Sequence, residues 1–330
     1  MSTTLTRPRP SLRGPVRVVV RQHRTTLWIG GGLALAVLLA LIAVTLRSSH
    51  VTQVFLTSGC PIDGGAGRHC NQTARNYAVS MFRYDNTFNL IATVLMAMPA
   101  LLSGFVAGPM IGRELESGTF KLSWTQSMSP ARWLAAKLAV PAVLLVTVTA
   151  VLSAVLHWVR SRLTVSYTSE WSTPYVFATT GTVPIAHVLL GLCAGALVGL
   201  LVRRTVPALA LSALVTVAAV IALTALRPLL WPPRTLVSAT DETGSLPRGS
   251  WITDTGRITD DGVRHSVEDC WEQVADRPAC LAGRAVTGEY ADYHPASHFW
   301  PLQLVETGIA LALAALALAL AFRVLRRRSG

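Results

Sequence analysis

"VPIAHVLLGLCAGALVGLLVRRTVPALALSALVTVAAVIALTAL", residues 183–226, holds two apolar runs of about 20 residues separated by Arg203 and Arg204. A helix rises 1.5 Å per residue, so about 20 apolar residues cross the roughly 30 Å of bilayer hydrocarbon. Two such runs joined by a pair of arginines, with Pro207 in the first turn of the second, read as two membrane helices folded back over a tight turn. The same criterion applied outward gives further spans near 27–46, 88–111, 134–156 and 302–322, six in all with 183–202 and 205–226. Composition agrees: 51% of the 330 residues are hydrophobic and 14% charged, too apolar to cover a soluble core with polar surface. The apolar stretch of the first span exceeds the 7–15 residues of a signal h-region. No small-x-small cleavage site follows in "VTLRSSH", so the span is expected to remain as a helix.

The expected fold class is therefore an all-α polytopic membrane protein with six transmembrane helices and a large extracytoplasmic loop between the fifth and sixth. Basic residues set the orientation. Sixteen Lys and Arg fall on the side holding both termini, among them Arg113, Arg132, Lys137, Arg203, Arg204 and Arg323, whereas the two short connections on the other side hold six. By the positive-inside rule both termini are expected in the cytoplasm, in a multi-pass protein of the plasma membrane. The formal charge of +12 follows from the same asymmetry, because only two of the 17 acidic residues lie on the inner side. These cations rim membrane helices and form no aromatic-interleaved patch, so anionic lipid headgroups are the expected partners and nucleic acid is not.

Four stretches follow: a basic N-terminal segment (1–26), spans one to five with a loop at 112–133 (27–226), an outer segment (227–301), and the sixth span with its basic tail (302–330). The outer segment carries 11 of the 17 acidic residues and is rich in Gly, Pro, Asp and Thr, with no clear helix or strand period. Cys60 and Cys70 fall in the first outer connection and Cys270 and Cys280 in the last, each pair separated by nine residues. Outside the membrane such pairs are disulfide candidates. His50 and His69 near the first pair suggest zinc as the competing use, but neither pair has the Cys-x-x-Cys spacing of a zinc site, and no metal is expected.

Gly104, Gly108 and Gly112 in the second span, and Gly191, Gly195 and Gly199 in the fourth, recur at four-residue intervals. Stripes of this kind let helix backbones approach closely in lipid. The neighbour is either in the same chain or in a second copy. Pro99, Pro109 and Pro141 interrupt helical hydrogen bonding and permit bends.

The connection after the second span reads "GRELESGTFKLSWTQSMSPARW", residues 112–133. The helix is expected to run on through Glu116, stop at Gly118 in the left-handed conformation, and resume after Thr119. Ser129 and Pro130 supply the cap and first turn of the third span. Trp124 and Trp133 bracket a piece suited to the membrane surface. The result is a compact projection with Arg113, Glu114 and Glu116 exposed; the alternative is a plain solvated face with snorkelling aromatics.

The stretch 112–139 resembles the signature of actinobacterial ATP-binding-cassette (ABC) transporter permeases of the type-2 exporter family. The resemblance rests on Arg-Glu-x-Glu-x-Gly-Thr, Trp-Thr-Gln-Ser and Arg-Trp-Leu, on "RRTVPALA" at 203–210 and on "YHPASHFWPLQLVETG" at 293–308. It implies a transmembrane subunit that works with cytoplasmic ABC ATPase subunits and a second permease copy, identical or related. Arg113, Glu114, Glu116, Gly118 and Thr119 would form the element coupling it to the nucleotide-binding subunit, the two carboxylates accepting from cationic groups there.

No Gly-x-x-x-x-Gly-Lys-[Ser/Thr] string occurs, so no cofactor is expected on this chain and ATP and Mg are expected on the partner. The chain also lacks His-Glu-x-x-His and Gly-x-Ser-x-Gly elements, and a non-enzymatic role is expected. Ionisable residues within spans are few: His157, His187 and Glu306, all near the outer boundary, with Gln303 one turn from Glu306. Glu306 is a candidate for pairing with an Arg of a neighbouring span or for a substrate path. The spans show no charge-lined path, which favours an amphipathic or lipid-like cargo. The competing function is a non-transporting receptor or scaffold that senses a ligand through residues 227–301.

Overall fold

The computed structural model describes residues 24–63, 67–119, 129–162, 170–239, 245–266, 279–280, 283 and 285–329. The helices are α1 (Arg24–Thr57), α2 (Arg68–Leu102), α3 (Gly108–Ser117), α4 (Pro130–Arg162), α5 (Pro174–Thr179), α6 (Val183–Val202), α7 (Thr205–Leu226) and α8 (Phe299–Ser329). A π-helical turn, Ser103–Ala107, joins α2 and α3 into one rod. Among the described residues six helical segments are long and apolar enough to cross a bilayer, and the chain is a multi-pass membrane protein.

The apolar runs are the centres of longer helices. Between the first two spans α1 continues to Thr57 and α2 already begins at Arg68, so the connection is a helical hairpin with a short tip. A Cys60–Cys70 disulfide closes it, and the Phe55 and Tyr77 rings stack beneath at 4.2 Å between centroids. Cys280 is also disulfide-bonded, while Cys270 lies outside the described residues.

α6 is the central helix: 72% of its most apolar window is buried, against 11–28% for the other five spans. Its glycine stripe explains why it can be surrounded so closely. A Cβ on Gly195 would lie 2.9 Å from the Ser103 carbonyl oxygen, and one on Gly199 would lie 2.7 Å from that of Gly108. The second stripe faces α7 in the same way, a Cβ on Gly104 meeting that of Ala213 at 2.9 Å. Both stripes therefore serve contacts within this chain, with the α2–α3 rod wedged between α6 and α7. The π turn falls one helical turn beyond Pro99, whose missing N–H loosens the ladder, and the Ser103 hydroxyl donates to the Ser212 carbonyl on α7 at 3.0 Å.

The all-α expectation needs correction. Between α7 and α8 lie β1 (Arg234–Ala239), β2 (Trp251–Thr259), β3 (Arg264–Ser266) and β4 (Val286–His294), an antiparallel sheet in the order β1-β4-β2-β3. Composition hides these strands because the partners of β4, namely β1 and β2, are far from it in sequence and a bulge between Ile252 and Asp254 breaks the alternation. Asp292 on β4 is a nodal residue. Its carboxylate accepts from the Thr235 hydroxyl on β1 at 2.5 Å and from the Arg264 guanidinium on β3 at 2.7 Å, tying the sheet together across its width. Burial alone would raise the pKa of Asp292, but these bonds and the Arg264 charge outweigh it and hold the carboxyl below its ordinary value.

Candidate functional site

Ionisable groups gather at the two ends of the bundle. At the end carrying the Arg203–Arg204 turn, α3 stops at Gly118, which takes the left-handed conformation at φ 72°. The Ser129 hydroxyl accepts from the Arg132 amide at 3.4 Å and so caps α4. Residues 120–128, which include Lys121 and Trp124, lie outside the described residues.

Arg113 and Glu116 are exposed here, whereas Glu114 is half-buried, contrary to the expectation that all three would project. The Glu114 carboxylate accepts from the Trp133 indole at 3.0 Å and forms an ion pair with Lys137, both on α4. Trp133 is not an interfacial ring: it is 3% exposed, in an apolar cluster with Ile111, Leu134, Leu200 and Leu325. Lys137 is 7% exposed, and a cation withdrawn so far from water needs a counter-charge. Glu114 supplies it and fastens α3 to α4.

Glu116 points elsewhere. Its Oε2 accepts from the Thr205 amide at 2.8 Å and the Thr205 hydroxyl at 2.6 Å, so a side chain of α3 caps α7. Among the described residues Thr119 bonds locally, hydroxyl to hydroxyl with Ser117 at 3.0 Å. The sequence pattern indicates this acidic projection but not Trp133, Lys137 or Thr205 as its partners, which the helix rotation alone selects.

The opposite end, beneath the sheet, holds a buried polar cluster. Glu306 on α8 is fully buried and receives Arg227, just past α7, through Nε at 2.7 Å and Nη2 at 3.0 Å. The Arg227 guanidinium also lies 4.0 Å from the centroid of the Phe177 ring on α5. His187 of α6 places Nε2 3.3 Å from Glu306 Oε1, without hydrogen-bond alignment. His157 is exposed and takes no part.

Gln303, one turn before Glu306, works as a cap from outside. Its Oε1 accepts from the amides of Thr182 and Val183 at 3.0 Å each, the open N–H groups at the start of α6. Its Nε2 donates to the Phe177 carbonyl of α5 at 2.9 Å. Gly181 between them has φ 76°, and a Cβ there would lie 2.6 Å from Gln303 Oε1, so both conformation and space require glycine. α5 itself, a six-residue helix too short for a period to announce it, was missed by sequence reasoning.

The sheet rests on this cluster. Trp171 donates to the Gly249 carbonyl at 2.7 Å and meets Trp251 edge-on, and a His294 ring nitrogen lies 3.1 Å from the Pro228 carbonyl oxygen. Burial lowers the pKa of His294, and the Pro228 carbonyl opposes this only in part. Among the described residues no group of three or more His, Cys, Asp or Glu is placed to hold a metal ion. An apolar crevice lined by Leu95, Met98, Leu152, Leu156 and Val188 lies among α2, α4 and α6. Both polar clusters hold helices in place, and neither presents a nucleophile or an acid–base pair to a cavity.

The family model described as ABC-2 membrane transporter related matches residues 29–227, more than half of the chain. No curated protein and no solved structure matches it.

Proposed function

The chain belongs to the ABC-2 membrane transporter related family, and on that premise we propose that it is the permease subunit of an ATP-driven exporter in the plasma membrane. Membership implies association with ABC ATPase subunits; in our reading these carry the ATP and Mg, while this chain binds neither. Two permease copies, identical or related, would form the path. The arginine-rich end, with both termini, faces the cytoplasm, and the sheet lies outside.

The observation that carries this reading is the braced projection after α3. Glu114 ties it to α4 and Glu116 ties it to α7, so a force applied at Gly118 moves the second, third and fifth spans together. A loop merely connecting two helices needs no such bracing. Arg113, Gly118 and Thr119 would then meet the ATPase, with Glu114 and Glu116 acting as positioning residues. The Arg227–Glu306–Gln303 cluster supports the reading of a structural pin at the far end and not of a substrate path. The cargo we infer is amphipathic or lipid-like, since the described spans offer an apolar crevice and no charge-lined route.

The test uses the full chain with its copurifying ATPase in vesicles, following ATP hydrolysis and the movement of a fluorescent phospholipid. Substituting Glu114→Gln or Glu116→Gln should lower coupled turnover by several fold while the ATPase retains basal hydrolysis. A cysteine placed at Thr119 should resist an impermeant thiol reagent added to intact cells. Labelling from outside would overturn the orientation. A copurifying ATPase indifferent to both substitutions would overturn the coupling and favour a receptor or scaffold.

A further inference from the structure

The stretch 293–300, "YHPASHFW", carries two histidines four residues apart where β4 passes into α8. His294 ends β4, and His298 closes a 3-10 turn, Ala296–His298, directly before α8. Both are withdrawn from water, at 0% and 8% exposure, and their Nδ1 atoms lie 3.0 Å apart. His294 also sets Nε2 3.1 Å from the Pro228 carbonyl oxygen, just past α7.

These two contacts admit one arrangement of protons. A carbonyl oxygen only accepts, so His294 carries its hydrogen on Nε2 and, when neutral, presents a bare Nδ1. The bond between the rings then requires the hydrogen of His298 on Nδ1, donating to Nδ1 of His294. A proton added to His294 sets N–H against N–H across that contact, and the bond is lost. A proton added to His298 keeps the bond but buries an imidazolium near Arg234 of β1, a charge of the same sign. The pair also meets the rings of Trp251 on β2, 5.3 Å from His294, and of Trp231, 6.4 Å from His298. Among the described residues no carboxylate acts on either histidine, so an added proton finds no counter-charge.

We propose that His294 and His298 form an acid-released latch: neutral, they hold the end of β4 to the start of α8, and protonation breaks their bond and frees the His298 ring to swing into water. Gln303 and Glu306, which fasten α5, α6 and Arg227, lie on the next two turns of α8, so release loosens the sheet end of the bundle. The latch goes beyond the permease reading and holds whether or not that reading does. The open state takes up protons that the closed state excludes, so opening grows as pH falls. With ordinary histidine values near 6.5 in the open state, the opening constant should rise about 25-fold between pH 7 and 5 for one histidine and about 600-fold for two.

The experiment places the full chain in lipid nanodiscs with EDTA, so that no metal competes for the ring nitrogens. Opening is read from hydrogen exchange at the His298 and Phe299 amides, which donate to the Pro295 and Ala296 carbonyls, after correction for the intrinsic effect of pH on exchange. H298N keeps a donor in the place of Nδ1 and H294Q one in the place of Nε2, so both should be as protected as wild type at pH 7. Between pH 7 and 5 the rise in wild type should exceed that in H298N tenfold or more, and H294Q/H298N should stay flat. Independently of any substitution, nitrogen NMR of labelled histidines in wild type at pH 7 should find both rings neutral, with the hydrogen on Nε2 of His294 and on Nδ1 of His298. A wild-type rise less than tenfold above that of H298N overturns the latch. So does a double variant that opens like wild type, or the opposite tautomer at either histidine.

Discussion

Removing the carboxylate of Glu306 isolates a guanidinium that has no route to water. Arg227 is 1% exposed and gives two charge-assisted hydrogen bonds to Glu306, at 2.7 and 3.0 Å. Breaking a buried pair from one side typically costs about 3–5 kcal/mol, because the surviving charge stays desolvated. Glu306→Leu should therefore destabilise the bundle by about that amount, and Arg227→Met similarly, with up to about 2 kcal/mol of the latter due to the lost stacking on Phe177. The double variant removes both charges and replaces them with apolar volume, so it should recover most of the loss. A coupling of about 3 kcal/mol or more is expected across the cycle.

The assay is reversible denaturation of the purified chain in micelles, followed by tryptophan fluorescence, since Trp171 and Trp251 lie in the aromatic layer above the pair at 5.9 Å from one another. Additive losses, leaving the double variant worse than either single one, would refute the argument that the two charges exist for each other. So would a Glu306→Leu effect under about 1 kcal/mol, which would mean that water or lipid headgroups reach Arg227.

Four further outcomes follow from the geometry. Glu116→Ala removes the acceptor for Thr205, and loss of this cap should raise amide exchange in the first turn of α7 several fold without affecting α8. Gly195→Val drives a side chain into Ser103 and Ala107 on the adjacent rod, and overpacking at about 1–3 kcal/mol should lower the unfolding midpoint, whereas Gly30→Val, with open space around it, should not. Reducing the Cys60–Cys70 bond, which closes a loop with sequence separation 10, should loosen the helical hairpin by up to about 3 kcal/mol, seen as faster amide exchange in the last turn of α1 and the first turn of α2 with six spans retained. Because burial lowers the pKa of His294, the unfolded state takes up a proton first as pH falls below the ordinary 6.5. Stability of the sheet should be full above that value and decline below it through the depressed folded value, and His294→Gln should flatten the decline in a urea titration between pH 7 and 5.

The spans were legible because length and apolarity suffice to fix a helix in lipid, where an unpaired backbone is too costly. The close-packing stripes were legible for a related reason: only residues without bulk allow α6 to sit 2.4–2.9 Å, in would-be Cβ terms, from its neighbours' backbones. The sheet and α5 were not, since in both the stabilising partners are remote: Asp292 acts through Thr235 and Arg264, and Gln303 closes α5 and α6 from more than a hundred residues away. The charged projection is the instructive middle case. Glu114 and Glu116 look like two copies of one function, a pair of acceptors held out to a partner. Yet residues two apart on a helix are rotated by about 200°, so they cannot both face one surface. That constraint is present in "RELES" itself: one carboxylate must turn toward the third span and the other toward the fifth, as Lys137 and Thr205 demonstrate. Helical phase, applied to the acidic pair before assigning it a partner, separates the half-buried Glu114, paired with Lys137, from the exposed Glu116, which caps α7.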